Sequence, residues 1–305
     1  SVYDERKKIV DQTLEEMGAK HHICNLHRCK TACDTTSRRP CLHPVTMQIT
    51  AGRRPDLGRA DMHILIQGAG RGIGLALAQR ARAAGASQLF LTARDPQSAP
   101  GYDLLPPSDD VMWLTLDVTE PDSIAAASTK LTAATDQLDR VIFTAGMLQD
   151  GSIRPEKRIN DIDADVLTRV FQTNALAPVL MARELWPLLR GTHPLHYAAL
   201  SARVGSISDN ALGGWYAYRA SKAALNQLMR TLSIELARAN PAACVASLHP
   251  GTVDTNLSRP FQANVPAEKL FTASYAADCL WQVLDGLDAR MTGGFFAYDG
   301  SPIPF

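Results

Sequence analysis

The sequence predicts an α/β protein: a doubly wound parallel sheet of about seven strands with helices on both faces. Three observations predict it. Short apolar runs, bounded by Gly, Pro, Asp or Ser, alternate with longer Ala- and Leu-rich stretches of helical spacing between Met62 and Tyr298. A glycine-rich turn, Gly68-Ala69-Gly70-Arg71-Gly72-Ile73-Gly74, lies between the first of these runs and the first helical stretch. Finally, Gly68–Gly74, Arg94, Asp117, Ala145-Gly146, Ser201 and Pro250-Gly251 each follow an expected strand end. In an open parallel sheet that gathers them on the carboxyl edge, where ligands bind.

Composition bounds the rest. With 305 residues, 46% of them apolar, the chain can bury a full core, and one large domain is expected. Its 31 basic and 31 acidic residues cancel, which gives no support for nucleic acid or an anionic membrane as partner. No apolar run approaches the roughly 18 residues of a membrane span, and the first residues lack the apolar core of a secretory signal. A cytoplasmic protein is therefore expected.

Residues 1–61 read as an irregular extension ahead of a domain covering 62–305. Ile9, Val10, Thr13, Leu14 and Met17 form a stripe that would make residues 1–19 an amphipathic helix. The stretch after it holds Cys24, Cys29, Cys33 and Cys41 with His21, His22, His27 and His43, which are metal-ligand types. The cysteine gaps match no standard zinc spacing, so no metal is expected. The remaining cysteines, Cys244 and Cys279, sit in apolar surroundings and read as core thiols.

From Met62 the elements follow in order. Met62–Ile66 is the first strand, and the glycine turn leads into a helix ending near Ala84. Glycines there let backbone approach a pyrophosphate, and the helix N-terminus offers free N–H groups, as in a Rossmann-type dinucleotide site. Gln88–Thr92 is the second strand. At its end an acidic residue would take a ribose 2′-hydroxyl, whereas Arg accommodates a 2′-phosphate. Arg94 at that end and Arg71 in the glycine turn point to NADP, while the adjacent Asp95 keeps NAD open. After a Pro-, Ser- and Asp-rich loop, 95–110, come a strand at Val111–Leu116 with Asp117-Val118, a helix from Pro121, and a strand at Val141–Thr144 before Ala145-Gly146. A continuous helix is expected over Ala164–Leu189, carrying Asn174. Strands at His196–Leu200, Ala243–Leu248 and Gly294–Tyr298 and a helix at Ser274–Leu287 complete the sheet.

Between the fifth and sixth strands, Tyr218 and Lys222 stand four apart on a segment that is strongly helix-forming from Ala220. That spacing places phenol and ammonium on one helix face. A nearby cation favours the phenolate and so is expected to lower the Tyr218 pKa from ~10, as a general acid working at neutral pH requires.

Gly68-x-x-x-Gly72-Ile73-Gly74, Asp117-Val118, Ala145-Gly146, Asn174, Tyr218-x-x-x-Lys222 and Pro250-Gly251-x-Val253-x-Thr255, in that order, resemble the motifs of the short-chain dehydrogenases/reductases. The stretches Arg203–Ser206, Gly213–Arg219 and Leu248–Thr255 are more narrowly similar to the C-factor-like and sniffer-like carbonyl reductase branch. The resemblance implies that Tyr218 gives a proton to a carbonyl oxygen and that Lys222 holds the cofactor ribose. It also implies that a serine polarises the carbonyl, and that Asn174 positions a water linked to Lys222. Three residues depart from the pattern. Gln67 replaces a Thr, Thr144 begins the element that usually starts with Asn, and Ala202 stands where the serine is expected, leaving Ser201 and Ser206 as neighbours with a hydroxyl. Ser201 is favoured.

These readings combine into an NADP-dependent reductase of an aldehyde or ketone. The alternative is a cofactor-binding signalling or regulatory protein of the same fold with little turnover. Leu257, Phe261, Val265 and Leu270 follow the last motif and suggest a small hydrophobic carbonyl substrate. Assembly into a homo-oligomer stays open.

Overall fold

A computed structural model of the protein describes residues 61–151 and 153–305. The expected extension, its amphipathic helix and its four cysteines therefore lie outside the described residues, apart from Asp61. Seven parallel strands form the main sheet: β1 (His63–Gln67), β2 (Gln88–Ala93), β3 (Val111–Thr115), β4 (Arg140–Phe143), β5 (Leu195–Leu200), β6 (Ala243–His249) and, last in the chain, β9 (Gly294–Ala297). Their spatial order is β3-β2-β1-β4-β5-β6-β9. It reverses at β1, so the crevice between the two halves opens above β1 and β4. A small pair, β7 (Thr252–Val253) and β8 (Leu270–Phe271), stands apart. The doubly wound sheet of seven strands is as expected, with ends displaced by a residue or so.

Strand alternation builds two cores from one sheet. On one face Leu65, Phe90, Val141 and Tyr197 meet Met181 of α5 (Ala177–Glu184) and Leu225 and Met229 of α7 (Tyr216–Ala239). On the other, Ile64, Ile66, Leu89 and Ile142 meet Leu77 and Ala78 of α1 (Gly72–Ala83) and Leu280, Trp281 and Leu284 of α8 (Ala273–Gly286). The loop after β2 carries a short helix, α2 (Pro100–Leu104), and α3 (Pro121–Ala134) follows β3. No helix among the described residues is long and apolar enough to cross a membrane.

The continuous helix expected over Ala164–Leu189 is instead broken. It comprises α4 (Ala164–Phe171), a wider π-type turn Gln172–Leu176, α5, and α6 (Trp186–Leu189). Two prolines account for this. Pro178 has no N–H and its ring would collide with the carbonyl of Asn174, four residues back; Pro187 does the same to Arg183.

At the amino edge Arg140 is buried, pairs with Asp285 of α8 and lies under the Trp281 ring at 4.3 Å, tying β4 to that helix. Beyond β9 the chain folds back. Phe296 bridges antiparallel to Pro302, Ile303 N–H donates to Phe295 O at 2.8 Å, and the Phe305 ring stacks on Phe295.

Candidate active site

The glycine turn is fastened by side chains that looked like departures. Gln67 is buried and its Oε1 accepts from Ala145 N–H at 3.1 Å. Thr144 Oγ1 donates to Gln67 O at 2.7 Å, and Thr92 Oγ1 accepts from Gly68 N–H at 3.2 Å. These bonds lock the ends of β1, β2 and β4 together at the crevice. Gly68 (φ 84°) and Gly72 (φ 57°) take left-handed backbone, and a Cβ on Gly74 would stand 2.2 Å from Gly68 O. Only glycine fits such a cradle. Gly70 O accepts from Gly101 N–H, Ile73 packs toward the core, and a Cβ on Gly72 would meet the Thr255 methyl at 3.5 Å. The last contact brings the late Thr255 motif to the first turn.

Arg71 stands at the N-cap position of α1, without a side-chain capping bond, and is exposed, as is Arg94 at the end of β2. Asp95 is exposed and accepts from Ser98 N–H and its hydroxyl, and the Ser98 hydroxyl holds its pKa below the usual range. Asp117 is half-buried. Burial would raise its pKa, but hydrogen bonds from Thr119 N–H and hydroxyl, with the Arg94 charge, bring it below the ordinary value. Val118 beside it is buried.

Tyr218 and Lys222 lie in the first turns of α7, which begins at Tyr216 and so earlier than the composition suggested. Lys222 is buried, with Nζ donating to Leu200 O at 2.7 Å and lying 5.8 Å from the Tyr218 ring centre. Burial pushes Lys222 down to about 8 and Tyr218 up to about 12. The expected lowering of Tyr218 by its neighbour is thus reversed: desolvation of the phenolate outweighs the field of a lysine that is itself desolvated. Tyr218 keeps its proton at neutral pH.

Gly146 joins these residues. A Cβ there would lie 3.7 Å from each of Lys222 Nζ, Asn174 Oδ1 and the Leu257 side chain. Asn174 sits in the π-type turn, where Oδ1 accepts from Met147 N–H at 2.6 Å and Nδ2 donates to Met147 O and Ser221 Oγ. Ser221 Oγ in turn donates to Tyr218 O at 2.9 Å. Asn174 therefore laces the segment after β4 to α7. Ser201, at the end of β5, has a buried hydroxyl with no hydrogen-bond partner, whereas Ser206 Oγ contacts Ser208 Oγ and accepts from Asp209 N–H. Ala202 is half-buried.

Pro250 and Gly251 leave β6 with Gly251 at φ 78°, and Val253 is buried in β7 opposite Phe271. His249 beside them has a pKa of about 4, lowered by burial and by the Arg203 charge, so it stays neutral. The sequence reading missed Gln67, Thr92 and Thr144 as fasteners. It also missed Glu156, buried against the N-terminus of α7, and the left-handed backbone of Trp215 (φ 52°), for which the preceding Gly213-Gly214 pair is the only signal.

The model of the family described as short chain dehydrogenase matches residues 62–266. The C-signal protein of Myxococcus xanthus is 36% identical over 148 residues, spanning 48% of this chain and 83% of that protein. An NADPH-bound carbonyl reductase from chicken fatty liver superposes with a TM-score of 0.70 at 26% identity, over 80% of this chain and 98% of the other. The carbonyl reductase Sniffer of Drosophila melanogaster does so with a TM-score of 0.70 at 27% identity, over 80% and 99%.

Proposed function

From the premise that the chain belongs to the short-chain dehydrogenase/reductase family, in its C-factor-like and sniffer-like branch, and is an NAD(P)-dependent oxidoreductase, we propose that it reduces a small hydrophobic aldehyde or ketone with NADPH. The observation that carries this reading is the convergence of Lys222, Asn174 and Gly146, with Tyr218 one helical turn before Lys222 on the same helix.

The residues fit a dinucleotide. Left-handed Gly68 and Gly72 with close-packed Gly74 leave backbone bare at the N-terminus of α1, which suits a pyrophosphate. Arg71 and Arg94 are exposed at that end, and Asp95 is engaged with Ser98, which supports a 2′-phosphate over a free 2′-hydroxyl. Asp117, Val118, Ala145, Gly146, Pro250, Gly251, Val253 and Thr255 border the same edge.

When bound, a reduced nicotinamide supplies the hydride. Tyr218, protonated at neutral pH, donates its hydroxyl proton to the substrate oxygen as negative charge develops there. Lys222, anchored on Leu200 O, sits where it can hold a ribose hydroxyl and move a proton toward the phenol. Ser201 polarises the carbonyl: it is the hydroxyl at the end of β5 without an internal partner. Asn174 keeps Met147 and α7 in register and so positions the pair, with any water bound beside Lys222 held by that frame.

The test is Tyr218→Phe, which keeps the ring and removes the proton. NADPH affinity stays within twofold, and kcat for carbonyl reduction falls by about 10²–10⁴. An unchanged rate sinks the proposal. Ala202 in the serine position favours a second reading, a cofactor-binding regulator with little turnover; NADPH binding with no reduction in a broad carbonyl screen would support it.

A further inference from the structure

Trp215 has φ 52° and ψ 46°, and among the described residues it is the only non-glycine with positive φ. A bulky side chain in the left-handed region is strained and persists only where its surroundings hold it. Two residues do so here. Trp215 N–H donates to Glu156 O at 2.6 Å. Arg219 Nε donates to the carbonyls of Gly213 and Gly214, and its Nη1 to Val204 O, which pins the two left-handed residues just before the tryptophan.

Glu156 acts twice. Trp215 stands at the N-cap of α7 and its side chain makes no capping bond. Glu156 Oε2 supplies one instead, accepting from Ala217 N–H at 3.2 Å across 61 positions of sequence. The residue is 4% exposed, its Oε1 has no hydrogen-bond partner, and no basic side chain pairs with it among the described residues. A polar side chain buried this deep with an unpartnered oxygen is costly to keep. Here it holds the start of the helix that carries Tyr218.

The indole consequently lies 6.3 Å from the Tyr218 ring centre at an interplanar angle of 76°, and 5.0 Å from the Phe261 ring at 59°. Phe261 belongs to the Arg259–Asn264 turn, in the apolar segment after Thr255. The half-buried indole thus borders Tyr218, and the half-buried Phe261 ring packs against the indole in turn.

We propose that Trp215 is the specificity-determining residue of this site, and that Glu156 is the positioning residue that holds it there. The indole is a wall that admits a flat ring to Tyr218 in preference to a saturated ring of the same size. A flat ring meets Trp215 and Phe261 edge-on or offset, the arrangements aromatic pairs favour. A chair-shaped ring is thicker and offers no π face. The inference rests on the reductase reading, and the test separates the two.

The probes are benzaldehyde against cyclohexanecarbaldehyde for kcat/KM with NADPH, and benzyl alcohol against cyclohexylmethanol for Kd. The wild-type chain should favour the flat member of each pair by about fivefold, the worth of one aromatic contact. Trp215→Leu should bring both ratios close to one while NADPH affinity stays within twofold, and Trp215→Phe should restore part of the preference. Glu156→Ala should lose the preference through KM more than kcat, whereas Glu156→Gln, which keeps an acceptor for Ala217 N–H, should retain it. Should Trp215→Leu fail to fold, Trp215→Gly suits the left-handed backbone and removes the same wall. Ratios unchanged in the Trp215 variants, or equal losses for flat and saturated probes, overturn the proposal. If the wild-type chain reduces neither aldehyde, the reductase reading fails, and the Kd ratio of the two alcohols, compared between the wild-type chain and Trp215→Leu, still decides whether the wall exists.

Discussion

Lys222 carries its ammonium group into the interior and gives it to Leu200 O at 2.7 Å. Burial lowers its pKa from 10.5 to about 8, so between those values the unfolded chain holds a proton that the folded chain has released. The state that binds more protons is then the unfolded one, and stability rises with pH across this window. Comparing Lys222→Met with the wild-type chain at pH 7.5 and pH 9.5 isolates the effect. The wild-type urea midpoint should gain on the variant by the equivalent of about 2 kcal/mol. A constant difference would mean that Lys222 is less buried than its contacts indicate. Tyr218 contributes the opposite slope, since its rise to about 12 costs stability only above pH 10. At the cofactor end, Arg94 is expected to make charge-assisted bonds to a 2′-phosphate worth about 1.5–3 kcal/mol before screening. NADPH should therefore bind at least about tenfold more tightly than NADH, and Arg94→Ala should erode most of that gap; equal affinities in the wild-type chain would remove the NADP assignment. Residue types and spacing made Tyr218, Lys222 and the glycines legible in the sequence. The sign of the Tyr218 shift was not legible, because i,i+4 spacing reports proximity and says nothing of how deeply both groups are buried. Nor could the partner of Gln67 be read from the sequence, since its amide oxygen reaches Ala145, 78 positions away.

Helices and turns show where local rules give way to tertiary ones. The apolar spacing over Ala164–Leu189 is helical throughout, and Pro178 and Pro187 were visible in it. What spacing could not show is that the Pro178 break falls at Asn174, so that the turn aims that amide at Met147. The start of α7 was missed for a related reason: Trp215 is a poor N-cap, and the acceptor that permits the helix comes from Glu156. A short 3-10 turn, Arg203–Gly205, presses on the same helix at Lys222. A Cβ on Gly205 would stand 2.7 Å from Lys222 Cβ and 2.9 Å from its carbonyl carbon. Gly205→Ala should accordingly push α7 off the sheet. The overpacking should cost about 1–3 kcal/mol of stability, and misplacing Tyr218 and Lys222 should slow reduction roughly tenfold or more. Thermal melts and kcat read the two effects, and a variant with unaltered melting and rate would show that the helix has slack.

For the whole molecule, alternating strands and helices made the parallel sheet legible, because a buried parallel strand reads as a nearly continuous apolar run. The buried Arg140 inside such a run gave no warning; its partner Asp285 lies 145 positions on, and the Trp281 ring that covers its guanidinium is nearly as distant in sequence. The expected domain start makes a direct prediction. A chain beginning at Met62 should fold and bind NADPH with an affinity within about twofold of the full chain, since β1 and every residue of the proposed site follow it. Loss of binding or of cooperative melting on that truncation would make residues 1–61 integral. The other end of the chain carries a different consequence. Strand β9 borders the sheet, and its outer side is occupied by residues 298–305, with Ile303 N–H on Phe295 O and Phe305 stacked on Phe295. Without that tail a row of amide and carbonyl groups would face the solvent beside Phe295 and Ala297, a template on which further copies could stack strand to strand. Removing residues 298–305 would thus be expected to promote aggregation while leaving every proposed catalytic group in place.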